Sequence, residues 1–225
     1  VLAAALLHLA RADRRTRDFT LNALRQALEA VVSNFPVYRT YIVAGHVSDQ
    51  DRRYVKQAVK RAREASRQID PSVFEFMQDV LLHDDSPHAA AFVARFQQVT
   101  APVMAKAMED TCFYRYNRLI SLNEVGGDPG TFGISVARFH NAMAERARQW
   151  PYALSATSTH DTKRGENVRA RINILSEIPR QWRLLIRRFA RLNARHKSML
   201  DGIQAPSSND EYLLYQTLVG AWPLE

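Results

Sequence analysis

Residues 153–172, ALSATSTHDTKRGENVRARI, decide how this chain is read. The run from Leu154 to Thr159 is short, passes from apolar to hydroxyl side chains and lacks Lys, Arg and Glu, so it is expected to form a buried strand. His160 and Asp161 then stand at the carboxyl end of that strand, where parallel sheets and barrels meet their ligands. Lys163 and Arg164 follow in a basic turn that opens a helix, whose face of Val168, Ile172 and Leu175 is stopped by Pro179.

On both sides of this segment the dominant period is helical. Leu21, Leu24, Leu28 and Val31 repeat at helix spacing up to Phe35-Pro36. Ser48 is expected to cap a helix with Asp49 and Asp51 in its first turn and a face of Val55, Ala58, Val59 and Ala62, ended by Asp70-Pro71. Val73, Met77, Val80 and Leu81 make another helix, Phe92, Phe96 and Val99 the next, and Pro102 sits where a further one could start. Val136, Phe139, Met143, Ala147 and Trp150 form a stripe closed by Pro151. Ser208 and Glu211 match a capping box before Tyr212, Tyr215 and Leu218.

With 225 residues, 46% hydrophobic and 24% charged, the chain has the composition of a globular protein with a sizeable core. The apolar run Val1–Ala10 is far below the ~20 residues of a membrane span, so no membrane partner is expected. A single cysteine, Cys112, excludes a disulfide within the chain and fits a reducing, cytoplasmic setting; it reads as a small buried hydrophobe. The net charge is +8, and seven basic residues without an acid lie between Arg180 and Lys197, leaving +1 for the rest. On a helix, Arg180, Arg183, Arg187, Arg188, Arg191 and Arg195 share one face and Trp182, Leu185, Ile186, Phe189 and Leu192 the other. A solvated outer face is the preferred reading, against a phosphate-binding or membrane-surface helix. No aromatic interleaves the basic face to stack bases, so nucleic acid is not an expected partner.

Asn123–Gly133, NEVGGDPGTFG, holds four of the eight glycines and matches neither a Walker nor a dinucleotide pattern. It is either a connector or a substrate-facing loop. His83, Asp84, Asp85 and His88 have metal-ligating chemistry, but Asp-Asp-Ser-Pro is a common turn and helix-start composition, and no metal or other cofactor is expected. Glu109 and Asp110 are adjacent acids whose side chains point about 100° apart on a helix, so one at most faces a given pocket.

Three segments resemble a known family: Phe96–Tyr116 (FQQVTAPVMAKAMEDTCFYRY), Asn117–Pro129 (NRLISLNEVGGDP) and Leu154–Ile172 (LSATSTHDTKRGENVRARI). They look like the maltooligosyltrehalose synthases of the α-amylase superfamily, as does the closing EYLLYQTLVGAWP. The resemblance implies a maltooligosaccharide substrate whose reducing-end α-1,4 linkage is rearranged to α,α-1,1. It implies that Asp161, in a Thr159-His160-Asp161 version of the superfamily's Asn-His-Asp, stabilises the oxocarbenium-like transition state while His160 bonds a hydroxyl of the same sugar. Lys163 and Arg164 would line the acceptor side, and Lys106, Asp110, Tyr114 and Arg115 the pocket for the freed glucose. Ala101 and Ala107 stand where the family pattern has glycine, and Asn167 where it has an acid.

The expected fold is mainly α: a helical inserted domain, residues 1–134, followed by part of a (β/α)8 barrel, residues 135–225. A full barrel needs eight strands and about 250 residues, and segments resembling those that carry the nucleophilic Asp and the acid–base Glu are not found in the chain. The expectation is therefore a fragment, inactive without the remainder of its catalytic domain. The alternatives are a non-catalytic carbohydrate-binding or scaffold module and a basic nucleic-acid-binding module.

Overall fold

The computed structural model describes residues 1–43, 46–83 and 86–223. The chain forms two compact units, Val1–Met108 and Glu109–Glu225, so the boundary expected after residue 134 falls inside the second unit.

The first unit is built from five helices: α1 (Leu2–Ala12), α2 (Leu21–Ser33), α3 (Asp49–Ala65), α4 (Pro71–Leu82) and α5 (Pro87–Met104). Four of the five starts are held by a side-chain oxygen on a free backbone N–H: Thr20 accepts from Ala23, Ser48 from Asp51, Asp70 from Ser72 and Ser86 from Ala89. Each such cap stabilises a helix by about 1 kcal/mol. The faces predicted from helical spacing turn inward, with Leu24, Leu28, Val31, Val55, Met77 and Leu81 buried around Phe74, Phe92 and Phe96. Phe35 meets Phe96 edge to face, with ring centroids 5.5 Å apart.

Pro102 does not begin a helix. It lies inside α5, which continues into a π turn at Ala105–Glu109. A proline ring removes one i→i−4 bond and crowds the preceding turn, and the helix nevertheless runs on past it before widening. Ala101 and Ala107 fall within this continuous helical stretch, where alanine is the better helix former than glycine.

One buried side chain fixes the extended segment between α2 and α3. The Gln97 amide, on α5, accepts from the Ile42 N–H at 2.7 Å and donates to the Ile42 carbonyl at 3.0 Å. It thus satisfies a backbone that has no sheet partner. Gln97→Leu leaves both Ile42 groups unpaired at a position only 8% exposed, and at about 1–3 kcal/mol per orphaned group the urea midpoint of the first unit is expected to drop by the equivalent of about 2–4 kcal/mol.

The second unit contains α6 (Val136–Gln149), α7 (Glu166–Asn173), α8 (Pro179–Asn193), a hairpin of β1 (Ser198–Leu200) and β2 (Ile203–Ala205), and α9 (Ser208–Ala221). Leu119, Ile120, Ile172, Leu175, Trp182 and Tyr215 make its small core. α7 lies against α9 at Gly220, where a β-carbon would come within 2.7 Å of Val168 Cγ1 and 2.9 Å of Ile172 Cδ1. Gln216 of α9 repeats the device of Gln97: its amide accepts from the Ile120 N–H and donates to the Asn117 carbonyl. The hairpin turns at Asp201-Gly202, both with positive φ, as a two-residue turn between antiparallel strands requires.

Several expectations are corrected here. Residues 154–159 form no strand and are not buried in a sheet; Leu154 is 97% exposed. A strand needs a neighbouring ladder, and among the described residues the one sheet is the β1–β2 hairpin. Arginines take the ladder's place. Arg146 donates to the Leu154 carbonyl and the Ser155 hydroxyl, both at 2.8 Å, and Arg169 donates to the Thr157 carbonyl. The barrel portion is accordingly not displayed by these residues. The α6 stripe forms as a helix but covers nothing, and none of its residues is buried. The capping box before α9 is Ser207 with Asp210, one residue earlier than expected, which leaves Glu211 free for another role. Cys112 is exposed.

Candidate functional site

Thr159 and Thr162 build the turn that carries the His-Asp pair. The Thr159 N–H donates to Thr162 Oγ1 at 2.7 Å, the two hydroxyls lie 3.1 Å apart, and the Asp161 N–H donates to Thr159 Oγ1 at 3.3 Å. Both hydroxyls are spent on backbone and on each other, so His160 and Asp161 project from the tip into solvent. Thr159, which stands where the superfamily pattern has Asn, is thus a turn-holding residue here.

Lys163 anchors the turn from the other side. Its ammonium donates to Asp110 Oδ1 at 2.7 Å and lies 4.0 Å from Asp161 Oδ1, with only 8% of the side chain exposed. The Asp110 hydrogen bond holds this ammonium above the usual lysine range, against the opposing effect of desolvation. It is therefore a fixed positive charge beside the Asp161 carboxylate. Arg164 is partly buried, donates to the Ile120 carbonyl at 3.4 Å, and is pushed down by that burial, with Tyr114 and Glu124 opposing.

Two carboxylates that lay outside the expected site residues position this arrangement. Glu124 Oε1 accepts from the Lys163 N–H at 2.8 Å and Oε2 from the Arg164 N–H at 3.3 Å, stapling the turn to the glycine-rich loop. Glu109 is buried and accepts from the Gly126 N–H at 3.2 Å, so the adjacent acids divide as helix geometry requires: Glu109 inward to the loop, Asp110 outward to Lys163. Gly126 has φ +70, and a β-carbon at Gly127 would meet the Leu122 carbonyl at 2.7 Å and the Glu124 carbonyl at 2.8 Å. The loop is also tied down by Asn123, whose amide donates to the Phe113 and Tyr116 carbonyls at 2.7 Å each. The glycines allow the tight path that brings Glu124 under the turn. The acid inside NEVGG, five residues before Pro129-Gly130, was the available signal for it.

Asp110, Asp161, Lys163 and Arg164 are thus brought together, and Tyr114 lies close enough to interact electrostatically with both cations. Arg115 is exposed, and its carbonyl accepts from the Asn209 amide at 3.1 Å. Lys106 belongs to the first unit, on the π turn. Of the possible metal cluster, Asp84 and Asp85 lie outside the described residues. His83 Nδ1 is 3.3 Å from Asp79 Oδ1, and His88 packs edge to face on His8. Among the described residues there is no group of three or more ligating side chains suited to a metal ion, and no helix long and apolar enough to cross a membrane.

No protein-family model matches the chain. A Mycobacterium tuberculosis protein that carries the provisional name maltooligosyl trehalose synthase is 46% identical over 130 residues, which is 58% of this chain and 16% of that protein. The structure of maltooligosyltrehalose synthase from Arthrobacter ramosus superposes on 100% of this chain with a TM-score of 0.75 and 34% identity, using 26% of its own length. A hypothetical maltooligosyl trehalose synthase of Sulfolobus tokodaii matches 99% of the chain with a TM-score of 0.62 and 31% identity, over 28% of its own length. The chain is thus similar to maltooligosyltrehalose synthases along its whole length, and it spans 16% of the length of the curated relative and about a quarter of the length of the solved structures.

Proposed function

We propose that these residues form part of an intramolecular glucosyl transferase that converts the reducing-end α-1,4 linkage of a maltooligosaccharide to an α,α-1,1 linkage. The carrying observation is the turn that presents His160 and Asp161 to solvent beside the fixed Lys163–Asp110 pair. In such a reaction the bond from C1 of the penultimate glucose to O4 of the reducing-end glucose breaks as the acid–base carboxyl protonates O4, and C1 then bonds O1 of that same released glucose as the O1 proton returns to the carboxylate. No water is consumed, and positive charge builds at C1 and the ring oxygen in between. The Asp161 carboxylate, held by its turn, is suited to that charge, with His160 reaching a hydroxyl of the same ring. Lys163, Arg164 and Tyr114, with Asp110 on the Lys163 ammonium and Arg115 nearby in the chain, are suited to hold the freed glucose while it turns over.

The nucleophile and the acid–base carboxyl are assigned to parts of the polypeptide outside these residues. Support comes from the uncovered apolar stripe of α6, which suits a helix of a barrel's outer ring, and from the ladderless 154–159 segment, whose composition suits a barrel strand. In this reading residues 1–134 are a helical insertion and 135–225 the closing part of the barrel. The test is a reducing-sugar assay on maltopentaose. A polypeptide containing this chain and the remainder matching its relatives should remove reducing ends without releasing equivalent glucose, and the 225 residues alone should leave the titre unchanged. Net hydrolysis by the longer protein would overturn the isomerase assignment, and turnover by the shorter one would overturn the assignment of the missing carboxylates.

A further inference from the structure

We propose that a groove along the start of α8 binds an organic phosphate, a phosphate ester carried on a ring, at a site separate from the Asp161 turn. The groove has a volume of about 680 Å3 and is lined by Arg118, Phe132, Trp182, Arg183, Arg187 and Tyr212, together with Pro179 at the first turn of the helix. This is within the roughly 300–1,000 Å3 of small-molecule sites. Its charge is of one sign. Three guanidiniums face it, no carboxylate is among its lining residues, and none of the three arginines makes an ion pair with the described residues. The N-terminus of α8 adds to that field, since its cap residue, Ile178, supplies no side-chain hydrogen bond to the first turn.

The walls are aromatic. Trp182 and Tyr212 lie with ring centroids 6.2 Å apart, locked by the indole N–H donating to the Tyr212 hydroxyl at 3.1 Å. Opposite in chemistry, the Phe132 ring is half exposed and has the Arg118 guanidinium 5.6 Å from its centroid. A planar fork of donors selects phosphate or carboxylate oxygens, the absence of any carboxylate in the lining favours the more highly charged of the two, and flat apolar walls select a ring. The basic and apolar faces of α8 therefore meet at this groove, where Trp182 and Ile186 alternate with Arg183 and Arg187. None of the lining residues belongs to the cluster of Asp110, Glu124, Asp161, Lys163 and Arg164, so the ligand acts as a second ligand and its binding is independent of the glycosyl chemistry proposed above.

Fluorescence of Trp182 reads the site directly once the two exposed indoles are removed as Trp150→Phe and Trp222→Phe. The 225-residue chain is titrated with glucose 6-phosphate, AMP, inorganic phosphate and glucose. The expected result is saturable quenching by at least one ester, about tenfold tighter than by inorganic phosphate or glucose. Arg183→Ala and Arg187→Ala each weaken it about tenfold, whereas Arg188→Ala, on the same helix but outside the lining, leaves it unchanged. All three arginines are exposed, so an unaltered thermal transition confirms that each variant folds. A response to one ester alone identifies the ring as sugar or nucleobase. Failure of both esters to saturate, equal binding of inorganic phosphate, equal loss in Arg188→Ala, or binding only of long polyanions such as oligonucleotides would each overturn the proposal.

Discussion

Asp161→Asn, made in a polypeptide that contains this chain and turns over maltooligosaccharide, will lower kcat by about two to three orders of magnitude with little change in KM. The magnitude is that of removing one preorganised group aimed at transition-state charge. Asparagine keeps the shape and the backbone N–H that donates to Thr159 Oγ1, so the turn survives. What is lost is the negative charge 4.0 Å from Lys163 Nζ. The Lys163 ammonium, then paired with Asp110 alone, opposes the positive charge developing on the sugar, which adds to the loss. Lys163 itself stays in place through Asp110 and through the Glu124 carboxylate on its N–H. Steady-state kinetics with maltopentaose, paired with a melting curve, separates the outcomes. A parallel fall in binding, or in melting temperature, would make Asp161 a structural residue and sink its assignment to the transition state.

The largest effect on stability is expected at Lys197 and Glu211. The ammonium and carboxylate meet at 2.6 Å with side chains 9% and 7% exposed, and Glu211 also accepts from the Tyr215 hydroxyl, which in turn accepts from Asn193. Lys197→Met strands a buried carboxylate and should cost the second unit about 3–5 kcal/mol, whereas Lys197→Met with Glu211→Leu should recover most of it, since an apolar pair has no charge to desolvate. Equal loss in the single and double variants would refute this account. The pH dependence follows in sign. Lys197, then the Tyr215 hydroxyl, hold the Glu211 carboxyl below the usual glutamate range. The folded unit therefore binds that proton less readily than the unfolded chain. Its contribution is complete above the ordinary glutamate value of about 4.5 and is lost as pH falls through the depressed folded value. Glu211→Gln should flatten the acid limb of the stability curve measured by urea unfolding between pH 5 and 3.

What could be read from the sequence was what is local. Ser48, Asp70 and the spacing of Val55, Ala58 and Ala62 act within one or two turns of helix, so the helices α3 and α4 follow from them directly. Pro102 misled because a proline both starts helices and can be carried within them, and only packing selects between the two. The box before α9 was displaced by one residue because Glu211 is recruited by Lys197, a partner across the β1–β2 hairpin. That hairpin had a short-range signal, Asp201-Gly202 between apolar residues, which the helical period around it obscured. The strand at 154–159 depended on a ladder that the described residues do not supply. At the site, the residue types named Asp161, Lys163 and Asp110, but Glu124 acts 39 residues along the chain through a glycine-rich turn, and no periodicity encodes such a reach.

The α6 helix has a thermodynamic consequence. A 14-residue helix that buries none of its own residues contributes little to the cooperative unfolding of the unit that carries it. Its backbone order rests on the Ser135 cap, which accepts from Arg138, and on the Arg148–Glu145 pair, while isolated helices of this length are marginal in water. Amide protons of 136–149 therefore exchange through a local opening, well ahead of those in α7 and α9, whose release waits on the loss of the packed contact at Gly220. Within the second unit, the apolar stripe is an unspent reserve of burial, and whatever surface covers it converts a fraying helix into a cooperative part of a larger fold.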